Sequence, residues 1–171
     1  DPRLTAVTSL SSLRGGSGLP TGESFTITNG SSTATISLSG CKTVEDLLNR
    51  INLPELGVEA SISDDGAHLN IVSRVSGTEL TIEENGGTLA TALGVRSLYG
   101  GTKLSDLNGG CGVGLVTGDD LQIVTADGTT IDVDLDGALT VQDVIDTINT
   151  AAAGAVTVSL RSTGNGLQIQ D

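Results

Sequence analysis

The chain has 171 residues, of which 37% are hydrophobic, and its mean hydropathy is +0.14. These values suit one domain or two small ones with hydrophobic cores, and they argue against a disordered chain. The net charge of −13 argues against nucleic acid and anionic membrane surfaces as partners, because phosphate contacts need clustered Lys and Arg.

Other features of the composition narrow the possibilities further. The sequence has a single Phe, a single Tyr and no Trp, so few aromatic side chains are left to stack on bases or sugars. No apolar run is long enough to span a bilayer, and the N-terminus has no signal-peptide pattern. Because the chain begins at Asp1 without a methionine, we expect it to be part of a longer protein.

The first predicted element is a β-hairpin. Asp1 to Ser9 resembles a connector, and the Gly-rich stretch LSSLRGGSGL from Leu10 leads into the first strand. Apolar residues then alternate with Ser and Thr around Asn29-Gly30, which predicts two strands with one buried face and a turn in which both residues have positive φ. The inward residues are Phe25, Ile27, Ala34, Ile36 and Leu38.

The stretch TVEDLLNRIN, from Thr43 to Asn52, predicts a helix. Thr43 with Asp46 three residues later is a capping box in which Asp replaces the usual Glu. The apolar residues that follow recur at i, i+3, i+4 and i+7, which is one face of a helix: Val44, Leu47, Leu48 and Ile51. A helix of this length is marginal in water, so it needs a sheet to pack on.

A second hairpin follows the helix. Asn52 and Pro54 end the helix, and Asp64-Asp65-Gly66 form the predicted turn between strands that contain Val58, Ala60 and Ile62, then Leu69 and Ile71. Glu79 to Glu83 predicts one more strand. Thr88 to Val95, TLATALGV, predicts a short helix that ends at Gly94 in the left-handed conformation.

The second half of the chain repeats this order. LSDLNGGCGV from Leu104 matches the Gly-rich opening, and TVQDVIDTIN from Thr140 to Asn149 matches the helix, with Asp143 in the capping position and Val141, Val144, Ile145 and Ile148 on the apolar face. The hairpin before it has Leu121, Ile123, Asp127-Gly128, Ile131, Val133 and Leu135. The hairpin after it has Val156, Val158, Leu160, Gly164-Asn165-Gly166, Leu167 and Ile169.

These matches predict an α+β fold of two tandem β-β-α-β-β units, each a small, mainly antiparallel sheet with one helix packed on it. The first unit with its connecting segment covers residues 1–100, and the second covers 101–171. Gly100 to Lys103 is the predicted hinge, and because it is short we expect the units to touch.

One stretch matches most of the ligand positions of a calcium-binding loop. Asp132, Asp134 and Asp136 precede Gly137, and Asp143 stands at the twelfth position, as in an EF-hand. The last ligand, however, is Asp and not Glu, and no helix enters the loop. The first half keeps the same alternation without charge at Thr35, Ser37 and Ser39, which favours a solvated strand. We therefore assign no metal ligand here, and calcium is the alternative.

No catalytic group or cofactor site is predicted. His68 is the single histidine, and its position in a hairpin places it on the outward face. Gly15–Gly18 and Gly109–Gly112 lack the Lys and the strand-to-helix context of a phosphate loop, so they more simply turn the chain into the first strand of each unit. The acidic pairs Asp64-Asp65 and Asp119-Asp120 fall in predicted turns, where solvation is expected.

The two cysteines are Cys41 and Cys111. Two are too few for a disulfide framework, and their spacing is not that of metal ligands. Free cysteines are often buried, which favours two unlinked, buried thiols, with a bridge between them as the alternative.

The order L-S-x-L-x-G-G, strand pair, T-V-x-D-[VL]-[IL]-x-x-I-N and G-x-x-L-x-I resembles the flagellin hook IN motif. This module occurs, often repeated, in exposed regions of bacterial flagellins, hook-associated proteins and the filament cap protein. The terminal Ile-Asn of the motif corresponds to Ile51-Asn52 and Ile148-Asn149. The Asn is expected to take the left-handed turn that ends each helix.

The resemblance implies a non-enzymatic, extracellular, surface-exposed domain of a flagellar axial protein. Hook-associated protein is the first choice, with flagellin and filament cap next. The implied partners are other copies or other axial subunits, and export would use the flagellar secretion channel without a cleaved signal. Since no heptad run occurs, the polymerising helices are expected outside this chain. The alternative is a secreted adhesin or calcium-dependent carbohydrate-binding module, with a host or surface glycan as its partner.

Overall fold

The computed structural model describes residues 3–161 and 165–171 and divides the chain into two units, the first ending at Ser97 and the second beginning at Leu98. Gly100 to Lys103, the predicted hinge, lies in the second unit. Its Gly100 and Thr102 carbonyls accept hydrogen bonds from the backbone amides of Gln142 and Val141, at 2.8 and 2.9 Å.

The first unit contains two antiparallel strand groups and two helices. Its elements are β1 Ser24–Asn29, β2 Ser32–Ser37, α1 Val44–Ile51, β3 Val58–Ile62, β4 Leu69–Ser73, β5 Leu80–Glu84 and α2 Leu89–Leu93. Strand β1 is the centre of a three-stranded sheet in the order β2-β1-β5, and β3 pairs with β4 in a separate hairpin. The strand predicted at Glu79 to Glu83 is thus confirmed as β5, and α2 ends at Gly94, whose φ is 70°.

The second unit repeats the core of this arrangement. Its elements are α3 Leu107–Gly110, β6 Asp119–Val124, β7 Thr130–Asp134, α4 Val141–Ala152, β8 Thr157–Leu160 and β9 Leu167–Gln170. The hairpins β6-β7 and β8-β9 are two separate antiparallel pairs. The predicted turn before Leu167 includes Gly164, which lies outside the described residues.

The α+β class and the β-β-α-β-β order are confirmed in both units. The prediction of one sheet per unit differs from the strand pairing observed. Among the described residues, the strands before each helix and the strands after it form separate sheets. Helix α4 packs on both β7 and β8 and so bridges its two hairpins, and α1 packs on β3. The duplication of sequence that underlies this likeness stays a prediction.

Both capping boxes are present. The Thr43 hydroxyl accepts from the Asp46 amide and the Asp46 carboxylate accepts from the Thr43 amide, at 3.3 and 3.0 Å. The corresponding distances for Thr140 and Asp143 are 3.2 and 2.9 Å. These bonds satisfy amides that the first turn of a helix leaves without partners.

Most residues of the predicted apolar faces are buried, whereas Leu48 and Val144 are half-buried and Ile169 is exposed. In the first unit Phe25, Ile27, Val44, Leu47 and Ile51 are all 0% exposed, and β5 and α2 add Ile82, Leu89 and Ala90 to the same core. In the second unit the core contains Val133, Val141, Ile145, Ile148 and Val158. No helix among the described residues combines the length and apolar character needed to cross a membrane.

The role predicted for the Asn of the Ile-Asn pair is wrong. Asn52 has a φ of −74°, and Asn149 lies inside α4, which ends instead at Ala153 with a φ of 48°. Each Asn side chain binds the backbone of the strand that follows. Asn52 Nδ2 donates to Ala60 O at 2.9 Å, and Ala60 N donates to Asn52 Oδ1 at 2.7 Å. Asn149 makes the same two bonds to Val158, at 2.9 and 2.7 Å.

The turn predicted at Asn29-Gly30 is shifted by one residue. Asn29 is the last residue of β1 and is 4% exposed, and the loop is Gly30-Ser31, with positive φ at Gly30. The Asn29 amide donates to the carbonyls of Leu56 and Gly57, at 2.9 and 3.0 Å. Its Oδ1 accepts from the hydroxyls of Ser73 and Thr78. Asn29 is therefore a buried link between the two hairpins of the first unit, because its side chain satisfies groups on several segments.

Replacing Asn149 with Ala should remove both side-chain hydrogen bonds to Val158. We expect the free energy of unfolding of the second unit to fall by about 2 kcal/mol, because the amide and carbonyl of a buried strand residue lose their partners. Urea denaturation measures the loss, and amide hydrogen exchange at Val158 locates it. Asn52→Ala is the matched variant in the first unit and should cost less, since Asn52 is exposed and water can replace it. Unchanged exchange at Val158 would contradict the role assigned to Asn149.

Candidate functional site

The four carboxylates of the calcium-like stretch do not form one site. Asp143 accepts from the amides of Leu139 and Thr140, at 3.0 and 2.9 Å, so it is occupied in capping α4. These backbone hydrogen bonds, that of Leu139 first, lower the pKa of Asp143. Asp132 lies exposed on β7, where its carboxylate accepts from Gln122 Nε2 at 2.6 Å. Only Asp134 and Asp136 of the predicted set lie together.

The structure adds Asp120 to this pair. Carboxylate oxygens of Asp120, Asp134 and Asp136 lie within 4.8 Å of one another. The prediction that Asp119-Asp120 forms a turn is wrong, because both residues begin β6 and Asp119 is in register with Asp134 across the hairpin. A bulge between Asp119 and Leu121 shifts that register, and no spacing rule in the sequence reveals it.

The oxygens of this cluster already serve the fold. The two oxygens of Asp120 accept from the amides of Val116 and Leu135, at 2.7 and 2.8 Å. Asp134 accepts from the amide of Asp136 at 2.7 Å. Three carboxylates have six oxygens in all, and both oxygens of Asp120 and one of Asp134 already accept backbone amides, whereas Ca²⁺ takes six to eight oxygen ligands. The arrangement is a solvated acidic surface that also fixes the ends of the β6-β7 hairpin.

One hairpin loop in each unit contains a carboxylate clamp, an Asp side chain that accepts both a hydroxyl and a backbone amide of its own loop. In the first unit Ser63 Oγ donates to Asp65, which also accepts from the amide of Ala67. In the second, Thr125 Oγ1 donates to Asp127, which also accepts from the amide of Thr129. The hydroxyl bond is the main reason that the pKa of Asp127 falls to about 2, and it also lowers the pKa of Asp65. Asp65 and Asp127 therefore act as turn-forming residues.

His68 is exposed, as predicted, in the loop between β3 and β4. Its Nδ1 lies 3.8 Å from Asp65 Oδ1, and both side chains are more than half exposed. A solvent-exposed pair in a turn is not the enclosed arrangement with which a base orients a nucleophile.

The Gly-rich segments turn the chain ahead of β1 and β6. Gly18 N donates to Leu13 O at 3.0 Å, and Gly112 N donates to Leu107 O at 2.9 Å. Both glycines have positive φ, 70° and 77°, which residues with a Cβ rarely adopt. These backbone amides are used within the loops, as expected for turns and not for a phosphate cradle.

The cysteines are free, but the prediction that both are buried is wrong. Cys41 is half-buried and Cys111 is exposed. Cys111 follows α3 and ends the small helical turn of the Gly-rich segment, where its backbone amide bonds to Asn108 O. Its side chain extends from a surface loop, so an accessible thiol is available for chemical labelling.

The surface offers shallow depressions. One is lined by Asp134, Asp146, Thr147, Thr150 and Ala151, and another by Asp119, Asp120, Leu121, Gln122 and Asp132. The second lies along β6 and combines three carboxylates with the exposed side of the strand. Neither is an enclosed cavity that would gather carboxylates for hydrolysis.

Comparison with known families gives a match within the first unit. The family model of the flagellin hook IN motif matches residues 24–75, which include β1 to β4 and α1. This confirms the motif on which the resemblance was drawn, and it supports a flagellin-like, structural flagellar protein. Comparison with curated proteins and with solved structures gave no match.

Replacing Thr125 with Val should raise the pKa of Asp127 from about 2 toward 3.8, because the largest cause of the shift is removed. A carboxyl with a lowered pKa in the folded state stabilises the fold above the unfolded pKa of 3.8, and this contribution is lost as pH falls toward about 2. NMR titration measures the pKa. The stability of the unaltered chain should also fall more steeply over this range than that of Thr125→Val. Thr130→Val is the control, and an unchanged Asp127 titration would contradict the clamp.

Excess calcium should leave the melting temperature of the chain unchanged, because three surface carboxylates already bound to backbone amides make an incomplete site. Calorimetry with calcium or magnesium measures this. A calcium-specific rise in melting temperature that disappears in Asp134→Ala would contradict the expectation and favour the calcium-dependent alternative.

Proposed function

We propose that the chain is a structural, surface-exposed domain of a bacterial flagellar hook-associated or filament protein. Its role is to contact other axial subunits and to form part of the outer surface of the flagellum. The main observation in support of this proposal is the match to the flagellin hook IN motif at residues 24–75. Hook-associated protein remains the first choice within this class, and the location is extracellular.

The second unit supports extending this role beyond the matched residues. It lies outside the match but has the same capping box and the same Asn-to-strand hydrogen bonds as the first unit. The proposal therefore treats the whole chain as two modules of one kind. Two small units with capped helices and buried cores suit a passive scaffold, because their stability comes from local packing and needs no ligand.

The electrostatics fit an exposed role. The chain has 21 acidic and 8 basic residues, and β7 presents Asp132 and Asp134 to solvent while Ile131 and Val133 face the core. A large net charge favours solubility, and charged strand edges discourage unwanted pairing between domains. Contacts between subunits would then depend on particular surfaces and not on non-specific association.

A glycan-binding role receives less support. Sugar recognition commonly uses exposed aromatic faces, and Phe25 is fully buried in the first core. Tyr99 is the other aromatic side chain of the sequence and is 39% exposed. Glycan-array binding that is lost in Tyr99→Ala would nevertheless favour the adhesin alternative.

The exposed thiol of Cys111 provides a test of location. A membrane-impermeant maleimide dye should label flagella on intact cells that produce the protein, because Cys111 is accessible on the folded domain. Labelling along the filament indicates flagellin, labelling at the hook–filament junction indicates a hook-associated protein, and labelling at the tip indicates the cap. Because Cys41 is also free and only half-buried, the labelling is done in a Cys41→Ser background, in which the further change Cys111→Ser is the control that should abolish the signal. Dye found only on the cell body would contradict the flagellar proposal.

A further inference from the structure

One helix position has an arginine in the first unit and a threonine in the second. Arg50 lies on α1 seven residues after the capping residue Thr43, and Thr147 lies on α4 seven residues after the capping residue Thr140. Both side chains are half-buried. The two helices therefore present a long cation and a short neutral side chain at the same place in the order of elements.

The guanidinium of Arg50 joins α1 to the chain at the end of β2. Arg50 Nη1 donates to Ser37 O, and Nη2 donates to Ser39 O, both at 3.0 Å. A planar guanidinium has its donors in a fixed fork and can bond to two acceptors at once, which the single ammonium of Lys does not reproduce. The first unit thus contains an occupied guanidinium site, formed by a helix and the strand before it.

The second unit has the same backbone segment at this place. Two positions, six and four residues before the capping threonine, correspond between the units: Ser37 with Asp134, and Ser39 with Asp136. The loop that follows is closed by the same amide-to-carbonyl hydrogen bond, 2.9 Å long in each unit: Cys41 to Leu38, and Ala138 to Leu135. The strand end and its turn are therefore alike in the two units, although their side chains differ.

In place of the arginine contact, the second unit has an open depression. It is lined by Asp134, Asp146, Thr147, Thr150 and Ala151. Asp134 is exposed, whereas its counterpart Ser37 is half-buried. Because Thr147 is much shorter than Arg50, it cannot span the same distance from the helix to the strand end. The place that a guanidinium occupies in the first unit is therefore open to solvent in the second.

The lining of this depression is anionic and has unused acceptors. Asp134 Oδ1 accepts from the Asp136 amide at 2.7 Å, and Asp146 Oδ1 accepts from Gln142 Nε2 at 2.9 Å. The second oxygen of each carboxylate and the carbonyl oxygen of Asp136 accept from none of the described residues. No basic side chain in the described part of the chain forms an ion pair with Asp134 or Asp146. Both carboxylates would attract a cation placed here.

Two independent observations point to the same kind of ligand. The open, anionic depression is suited to a cation. The contacts of Arg50 at the corresponding place in the first unit show that a guanidinium fits this combination of helix and strand end. A bare calcium ion is less suited, because it takes six to eight oxygen ligands.

We propose that the depression lined by Asp134, Asp146 and Thr147 binds the guanidinium of an arginine side chain from a partner polypeptide. The guanidinium bonds to the free oxygens of Asp134 and Asp146 and to the carbonyl of Asp136. Pairs of arginine and carboxylate can be bidentate, which adds geometric selectivity to charge attraction. A free arginine molecule is less suited, because the acidic lining would repel its own carboxylate. The inference depends on comparison of the two units and not on the flagellar assignment.

A capped arginine tests the proposal on the full chain. NMR titration with N-acetyl-arginine amide should shift the amides of Asp134, Asp136 and Thr147. The Kd should be on the order of 1 mM, since exposed charge pairs are weak and are screened by salt. N-acetyl-lysine amide has the same charge without the fork and should bind at least about threefold more weakly. Free arginine should also bind more weakly than the capped form.

Substitutions of the lining locate the site. Asp134→Asn combined with Asp146→Asn removes both charges but keeps the Oδ1 acceptor of each side chain, so their hydrogen bonds within the chain can remain. Affinity for the capped arginine should fall about tenfold. Asp119→Asn combined with Asp132→Asn is the matched control, because it removes two charges from the same hairpin outside the lining. It should change affinity by less than about twofold.

A grafted arginine tests the placement from within the chain. Thr147→Arg should occupy the depression, raise the melting temperature and abolish binding of the capped arginine. Thr147→Lys is the matched control, because it adds the same charge and a similar helix propensity without the fork. A melting temperature of Thr147→Arg no higher than that of Thr147→Lys would contradict the placement.

The binding data supply the other outcomes that would overturn the proposal. These are the absence of amide shifts at Asp134 and Thr147, equal affinity for the lysine compound, and unchanged affinity after removal of both carboxylates. Tighter binding of free than of capped arginine would overturn a polypeptide as the source. Stabilisation by Thr147→Arg without binding to the unaltered chain would mean that the site accepts only an internal side chain, which would also overturn the proposal.

Discussion

The interaction on which both units depend is the pair of hydrogen bonds between a helix asparagine and the strand that follows. Asn52 and Asn149 each present an amide donor and an acceptor to one strand residue, Ala60 or Val158, as a neighbouring strand would. Strand and helix thereby acquire a fixed relation at the point where each unit changes from helix to sheet. The preceding Ile51 and Ile148 are buried, so the Ile-Asn pair joins core packing to backbone pairing in two adjacent residues.

The two units share this pair of hydrogen bonds but differ in the elements that surround it. The first unit is closed by β5 and α2, whose apolar residues complete its core, and Asn29 adds a buried hydrogen-bonded link between its hairpins. The position of Asn29 is taken in the second unit by Thr125, which bonds within its own loop. Among the described residues the second unit has a smaller core than the first, and β6 pairs with β7 alone.

Several acidic side chains stabilise the fold through hydrogen bonds within the chain. Asp46 and Asp143 cap helices, Asp65 and Asp127 close loops, and Asp120 binds two backbone amides. Hydrogen bonds stabilise the charged form of a carboxylate and so lower the pKa of the first four. Backbone amides are the largest cause for Asp46 and Asp143, and side-chain hydroxyls are the largest cause for Asp65 and Asp127. A sequence rich in Asp at hairpin ends therefore resembles a metal-binding sequence, although the same carboxylates are engaged in turns. This agrees with a structural protein whose surface is charged and whose interior is aliphatic.

The sequence by itself determined the parts that depend on local chemistry and periodicity. Capping boxes, helix faces, strand alternation, β5 and the glycine end of α2 are each specified by residues a few positions apart, so they could be read without coordinates. Tertiary structure alone decided which distant groups meet: Asn52 with Ala60, Asn29 with Ser73, and Asp120 with Asp134 across a bulged hairpin. It also decided that Cys111 is exposed and Cys41 half-buried. The physical reason is that a long-range hydrogen bond, or the exposure of a side chain, depends on which distant chain segments packing brings together, and no short-range pattern records that choice.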